Sequence, residues 1–489
     1  MAPDITLMNS GINGLDEILN GGLAKGRMYL VRGEPGTGKT LLGMHFLEEG
    51  LQNDETVLFI HGEESRREIL ANGGAVSIDI SDAEFLDLGP ESDFFTDDDS
   101  YDLVEPSDIE RDRYTKRIHE AIEEINPSRV VLDPISQLRY VEANEYQFRK
   151  RILSFMRFLK QHEITVLVTA TLYSDPEYDT ELRSLSDGII KLTRGEDGRR
   201  VEATKHRALG QLDGDHGMEI RESGLEIFPR LIPESHEHAY TPELIHSGID
   251  ELDELLGGGF DQRTVTFISG PTGAGKTSTG TQLLTQAARD GLNSAIYLFE
   301  ENMETFTHRS EAIDIPVTEL REDGSLSVTE VEPLALSSEE FAHMVIDQVE
   351  KAETDIVMID GIDGYTISIQ GHQQDLVREL HALARYLKNR GVTVLITNEI
   401  SEITGISEAT DNQLSYIADN IAFVSYVEMD GSLRKVIGVL KKRTGDFEKT
   451  LREFEITGDG IYVGEPLTGL HGILQGSPMT QTIGTDANE

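Results

Sequence analysis

Gly33-Glu34-Pro35-Gly36-Thr37-Gly38-Lys39-Thr40 returns later in the chain as Gly270-Pro271-Thr272-Gly273-Ala274-Gly275-Lys276-Thr277. Each octapeptide follows a short apolar run, Met28 to Val31 or Val265 to Ile268, of the kind that forms a buried strand. The glycines let the backbone curl so that its N–H groups face one point. A helix starting at the Lys-Thr end aims its positive terminus at that same point. The result is a phosphate cradle of the Walker A type, in which Lys39 and Lys276 reach the β- and γ-phosphates. Thr40 and Thr277 offer hydroxyls to Mg²⁺. A plain glycine turn between strand and helix requires neither the Gly-Lys-Thr ending nor a second copy. ATP and Mg²⁺ are therefore the expected ligands. The expected nucleotide contacts are Gly33, Gly36, Thr37, Gly38, Lys39 and Thr40, and again Gly270, Gly273, Ala274, Gly275, Lys276 and Thr277.

The loops are part of a longer repeat. Ser10-Gly11-Ile12 with Leu15-Asp16-Glu17 and Gly21-Gly22 returns as Ser247-Gly248-Ile249 with Leu252-Asp253-Glu254 and Gly258-Gly259. Glu63-Glu64 returns as Glu300-Glu301, and Val130-Val131-Leu132-Asp133 as Ile356-Val357-Met358-Ile359-Asp360. Lys205-His206-Arg207 returns as Lys441-Lys442-Arg443. The period is far too long for a solenoid, so the chain is a domain duplication. Each half alternates strands and helices, which predicts an α/β fold with a mostly parallel sheet covered on both faces. In the first half the pattern predicts strands at 57–60, 130–132 and 165–168 and a helix over 109–125. The expected domains are residues 1–230 and 231–464, with a linker over 230–242 and a mobile tail over 465–489.

Three further groups carry chemistry. Asp133 and Asp360 close apolar strands, where a Walker B carboxylate would hold Mg²⁺ or its water. The Glu pairs follow the next strand, whose end is expected beside the phosphate loop. A carboxylate there can take a proton from the group attacking the γ-phosphate. The bland alternative is a solvated acidic turn, and only the repetition speaks against it. Lys205, Arg207, Lys441 and Arg443 are cations in a chain that avoids them, each at the end of an expected hairpin strand. Supplied by a neighbouring subunit, such a cation acts as an arginine finger on the developing phosphate charge. The alternative is a surface ion pair.

Composition sets the remaining bounds. The 489 residues include 89 Asp and Glu against 43 Lys and Arg, a net charge of −46. The acids respect no domain boundary, and arginine outnumbers lysine. A chain-wide acidic coat fits work in concentrated salt, where self-repulsion is screened. With no cysteine, thiolate metal sites, disulfides and cysteine nucleophiles are excluded. There is no run of about 20 apolar residues to span a bilayer. Met1 to Ser10 lacks the basic and apolar regions of a signal peptide. A cytoplasmic protein without membrane partners is expected.

With these residues in hand, the chain resembles the KaiC family of RecA-superfamily ATPases and autokinases, in a salt-adapted, archaeal-type form. The resemblance runs over nearly the whole chain. It also takes in Leu225-Glu226-Ile227-Phe228-Pro229 and Gly476-Ser477-Pro478. It implies tandem RecA-like P-loop domains in a two-tier homohexamer with ATP at subunit interfaces. It implies that the first ring mainly hydrolyses ATP and the second also phosphorylates its own hydroxyls. Carried over, Glu63 and Glu300 are the general bases, with Glu64 and Glu301 in support. The acceptor segment matches Thr410 to Tyr416, with Ser415 and Thr410 as candidate acceptors. Tyr416 stands where the family has Thr, which departs from a two-step phosphorylation cycle. Gly62 replaces a family aromatic, which predicts a looser strand end before Glu63. A signalling or regulatory protein partner is implied but not identified.

Two rivals differ in class. A recombinase or helicase of the same superfamily would thread DNA past cationic loops. The matching segments here run from Thr171 to Asp187, with one Arg and several acids, and from Glu399 to Ser415, with no Lys or Arg. Nucleic acid is therefore an unfavoured partner. A non-catalytic scaffold held together by ATP is the other rival.

Overall fold

In the strand Met28–Gly33 alternate side chains divide between two cores. Tyr29 and Val31 join a cluster with Leu42, Met44 and Phe46 of the helix Lys39–Gln52, while Met28 and Leu30 join one with Ile122, Ile152 and Phe155. The strand Val57–His61 repeats the division, with Val57 and Phe59 on one face and Leu58 and Ile60 on the other. A strand buried on both faces reads as a continuous apolar run, which is why these segments show no polar alternation.

The computed structural model describes residues 5–89, 108–136, 145–171, 182–195, 198–207, 209–232, 243–332, 336–368, 373–400, 416–429, 431–468, 470–471 and 479–480. The chain divides into two units, Met1–Arg230 and Leu231–Glu489. Each contains a nine-stranded sheet. In the first unit the order is 224–228, 216–221, 198–206, 188–195, 28–33, 165–171, 129–133, 57–61, 84–87. The strands from 188–195 through 84–87 pair in parallel; the other three extend the sheet antiparallel. The second unit repeats this as 460–466, 452–457, 432–442, 420–429, 265–270, 393–399, 356–360, 294–298, 326–330. The tandem α/β fold of RecA-like type is thus present in both halves. The strand Gly460–Pro466 runs two residues past the expected boundary at 464, because it closes the antiparallel extension.

Two repeated motifs are structural. Asp16 accepts the backbone N–H of Ser10 at 2.9 Å, and Asp253 accepts that of Ser247 at 2.9 Å. These contacts fold each entry segment back on its own short helix, Asn13–Ile18 or Asp250–Leu255. Gly43 and Gly280 face the sheet from the phosphate-loop helices, where an added Cβ would come within 2.9 Å of Val131 and 2.6 Å of Met358. Their small size sets how closely each helix seats. No helix among the described residues is long and apolar enough to cross a membrane.

Candidate functional site

Each phosphate loop leaves the end of the central strand and enters its helix through a left-handed glycine, Gly38 at φ +100° and Gly275 at φ +115°. Gly36 and Gly273 are also left-handed, which glycine adopts without steric cost. At Gly33 and Gly270 the constraint is space. A Cβ would lie 2.6 Å from the Leu192 carbonyl oxygen in one and 2.2 Å from that of Val424 in the other. Thr37 is buried and donates to the Glu34 carbonyl at 2.8 Å; Ala274, fully buried, fills the same corner in the second loop. Lys39 donates to the carbonyls of Gly33 and Glu34, at 3.0 and 2.8 Å. Lys276 does the same with Gly270 and Pro271, at 2.9 and 3.1 Å. Burial lowers the pKa of both lysines, against the pull of nearby carboxylates.

The aspartates meet the loop threonines. Thr40 donates to Asp133 at 2.6 Å, and Thr277 to Asp360 at 3.0 Å. A second threonine from the neighbouring strand holds each carboxylate, Thr169 on Asp133 and Thr397 on Asp360. Burial raises the pKa of Asp360, opposed by the hydrogen bonds from Thr397 and Thr277. These supporting threonines sit within apolar strands, where no local pattern singles them out.

The glutamate pairs also reach this edge, though not by the expected route. The strand that carries Glu63 is separated from the loop strand by the two strands 165–171 and 129–133. Even so, Glu63 lies in the field of Lys39 and Asp133. Partial desolvation, then Asp133 and Glu64, raise its pKa while Lys39 opposes. Glu300 is raised in the same way, by desolvation and then by Asp360 and Glu399. Their neighbours are held by other side chains. Glu64 accepts from Asn72 at 3.1 Å, and Glu301 pairs with Arg309, which also donates to Ser278 at 3.1 Å. The chain then turns into a helix capped by Ser65 with Glu68 in one unit and by Asn302 in the other. Such a cap contributes about 1 kcal/mol and fixes the exit of the glutamate pair.

The loosened end expected at Gly62 is not what the structure holds. Buried His61 places Nδ1 2.8 Å from the Glu64 carbonyl oxygen and packs its ring edge-on to Phe85. In the second unit Phe299 does this work, its ring 5.0 Å from Phe341 and 6.1 Å from Tyr365.

The finger candidates lie at the other edge of the sheet. Lys205 pairs with Ile189, which pairs with Leu30, and the Arg207 N–H donates to the Asp187 carbonyl. Lys205 therefore stands level with Leu30, about 10 Å short of the strand's far end at Gly33, and Arg207 level with the strand's start, about 17 Å from Gly33. Lys441 pairs with Ile421, opposite Phe267, and the Arg443 N–H donates to the Asp419 carbonyl. Neither pair is brought to its own phosphate loop. Thr410 and Ser415 lie outside the described residues. Tyr416 is 54% exposed, its ring 5.2 Å from that of His381.

The sequence reading missed one cluster. Glu300, Asp363 and Glu399 place carboxylate oxygens within 4.8 Å of one another, and Thr272 donates to Glu399 at 3.2 Å. The signal was Glu399 itself, at the end of the strand paired with the loop strand.

The family model described as ATPase: KaiC matches residues 8–232 and again 245–468. The chain belongs to the KaiC ATPase family. Its relatives include the circadian clock oscillator protein KaiC of Parasynechococcus marenigrum (strain WH8102), 26% identical over 96% of this chain and 92% of that protein. The circadian clock protein KaiC3 of Synechocystis sp. is 26% identical over 97% of this chain and 95% of its own length. This KaiC-family P-loop ATPase therefore carries the family's ATPase domain twice, each copy with one loop, one aspartate and one glutamate pair on a shared edge.

Proposed function

We propose that both units bind ATP with Mg²⁺ and hydrolyse it, and that each site is completed by a second copy of the chain. The observation that carries this reading is the division of groups between sheet edges. Loop lysine, threonine, aspartate and a glutamate of raised proton affinity share one edge, while the finger cations sit at the other. Thr40 with Asp133, and Thr277 with Asp360, offer oxygen donors alone, the set that suits Mg²⁺. Bound there, the ion would neutralise charge on the β- and γ-phosphate oxygens.

Glu63 and Glu300 act as general bases. Each takes a proton from the attacking water as its oxygen bonds to the γ-phosphorus and the bond to the bridging oxygen of ADP breaks. A carboxylate pKa raised toward neutrality suits a base that must accept that proton. Glu64 and Glu301 anchor the segment. Lys205 with Arg207, and Lys441 with Arg443, reach the γ-phosphate of an adjacent copy in a two-tier ring of six, where a finger contributes ~10³–10⁵ in rate. In the second unit a serine hydroxyl also takes the place of water as the nucleophile, with Ser415 and Thr410 the candidate acceptors. The acidic coat keeps the assembly in solution at high salt in the cytoplasm, and the ring signals to a regulatory protein.

The test is Glu63→Gln and Glu300→Gln, each assayed for turnover and nucleotide binding. Each substitution silences its own unit with binding retained, and loss at Glu63 dominates total hydrolysis. Unchanged turnover in both would leave an ATP-held scaffold. Turnover stimulated by single-stranded DNA would favour the recombinase reading instead. Light scattering with ATP reads the ring, and dialysis into dilute buffer reads the salt requirement. With γ-labelled ATP, absence of label between 410 and 416 would leave an ATPase without kinase activity.

A further inference from the structure

Asp187 and Asp419 occupy matched places, and neither belongs to a phosphate site. Each is the residue just before the strand beside the phosphate-loop strand, Gly188–Gly195 or Asn420–Met429. The Asp187 N–H donates to the Met28 carbonyl at 2.9 Å and the Asp419 N–H to that of Val265 at 2.8 Å. Their side chains are only 4% and 3% exposed. A desolvated carboxylate in such a place requires cations, and each has them in the same arrangement. One oxygen of Asp187 faces Arg207 at 3.5 Å and Arg27 at 3.2 Å; the other faces Lys160 at 3.8 Å. One oxygen of Asp419 faces Arg443 at 3.1 Å; the other faces Lys388 at 2.6 Å and the Val265 N–H at 3.0 Å. In the second unit a backbone amide thus replaces the contribution of Arg27.

The lysines come from the last turns of the helices Glu145–Gln161 and Gln373–Asn389. The arginines come from the ends of the finger strands and are 50% and 54% exposed. Each carboxylate is therefore fixed while the arginine it holds keeps an open side. Lys205 is tied to the same segment, donating to the carbonyls of Arg183 at 2.8 Å and Ser184 at 3.4 Å, and Lys441 donates to the carbonyl of Ala418 at 2.7 Å.

We infer that Asp187 and Asp419 are positioning residues for the finger arginines, clamping Arg207 and Arg443 between sheet and helix so that each is presented at a fixed height to an adjacent copy. The inference rests on the finger reading above. A flexible arginine must be ordered at each turnover, whereas a clamped one is ordered in advance. A simple structural role for the aspartate predicts lost stability without a selective loss of turnover.

The experiment uses the full chain with one unit silenced. Asp187→Asn and Arg207→Ala, singly and together, are assayed in a Glu300→Gln background; Asp419→Asn and Arg443→Ala in a Glu63→Gln background. The clamp predicts that Asp→Asn lowers kcat about 10- to 100-fold with KM and nucleotide affinity within about twofold. It also predicts that the double variant is no slower than Arg→Ala alone. Asp187→Glu, which keeps the charge, recovers part of the rate and serves if Asp187→Asn does not fold. Unchanged kcat in folded Asp→Asn variants overturns the clamp. So does a loss that multiplies with that of Arg→Ala. If Arg→Ala itself leaves kcat unchanged, the finger reading falls and the clamp with it, a result separable from failure of the aspartates alone.

Discussion

The two units share a loop, a sheet order and a pair of glutamates, yet the charge around the loop lysine differs. Lys39 lies in the field of Asp133 and Glu63. Lys276 lies in that of Glu399, Glu300, Asp360 and Asp363. The difference traces to two positions. Thr171 stands opposite Gly33, whereas Glu399 stands opposite Gly270. Three residues after the strand aspartate, the first unit has Ser136 and the second Asp363. The groups aimed at phosphate are the same in both copies, while those one layer out are not. One motif thus works in two electrostatic fields, and the second offers less net positive charge to a triphosphate.

That contrast can be tested from both sides. Glu63→Gln and Glu300→Gln remove the proton acceptors and should each cost ~10²–10⁴ in the turnover of the affected unit, read in single-turnover assays. Equal residual rates would argue that the outer carboxylates do not matter to the chemical step. Gly361→Ala comes next. Its Cβ would lie 2.7 Å from Glu300 Cγ, at a φ of +96° that alanine resists. Strain of ~1–3 kcal/mol should displace Glu300 and slow the second unit about tenfold, with the first unit unaffected. A smaller effect is expected from Asp363→Ser with Glu399→Thr, which gives the second unit the outer layer of the first. These carboxylates are exposed, so ATP binding to that unit should tighten by no more than about fivefold, measured by titration with a fluorescent nucleotide.

The mildest test concerns stability and pH. His45 accepts the Leu225 N–H at 2.8 Å through Nε2, and burial depresses its pKa to about 4. The folded unit therefore holds it neutral, while the unfolded chain protonates near 6.5. The stability it contributes is complete above that value and is lost as pH falls toward 4. The second unit has Gln282 at this position, donating to the Ser247 carbonyl at 3.0 Å. Acidification to about pH 5.7 should lower the melting temperature of the first unit by a few degrees more than that of the second, about what one kcal/mol produces. His45→Gln should remove that excess in calorimetry.

Much of this arrangement is legible in the sequence because it rests on local rules. A glycine-rich turn between strand and helix announces the loop, and Asp133 and Asp360 are visible as polar ends of apolar strands. The Lys-x-Arg cations stand out because the chain is poor in cations. What stays hidden depends on strand order. Two strands intervene between the loop and the strand of Glu63, so sequence nearness to the helix misplaces that strand. Glu399 and Asp363 meet Glu300 only after the sheet forms, and among 89 acidic residues only Glu399, closing an apolar strand, shows any contrast. Asp187 and Asp419 are hidden for the same reason, since their cationic partners arrive from a helix and from a hairpin strand.

The placement of the finger strand has a kinetic consequence. Under the proposed reading, a lone copy holds the two halves of one reaction on opposite sides of its own sheet. Dilution then does more than slow encounter with substrate: it removes half of every site. Specific activity should therefore climb with protein concentration and level off where neighbours become permanent. An inactive finger variant mixed with an inactive base variant should regain turnover, since each lends the other the edge it lacks.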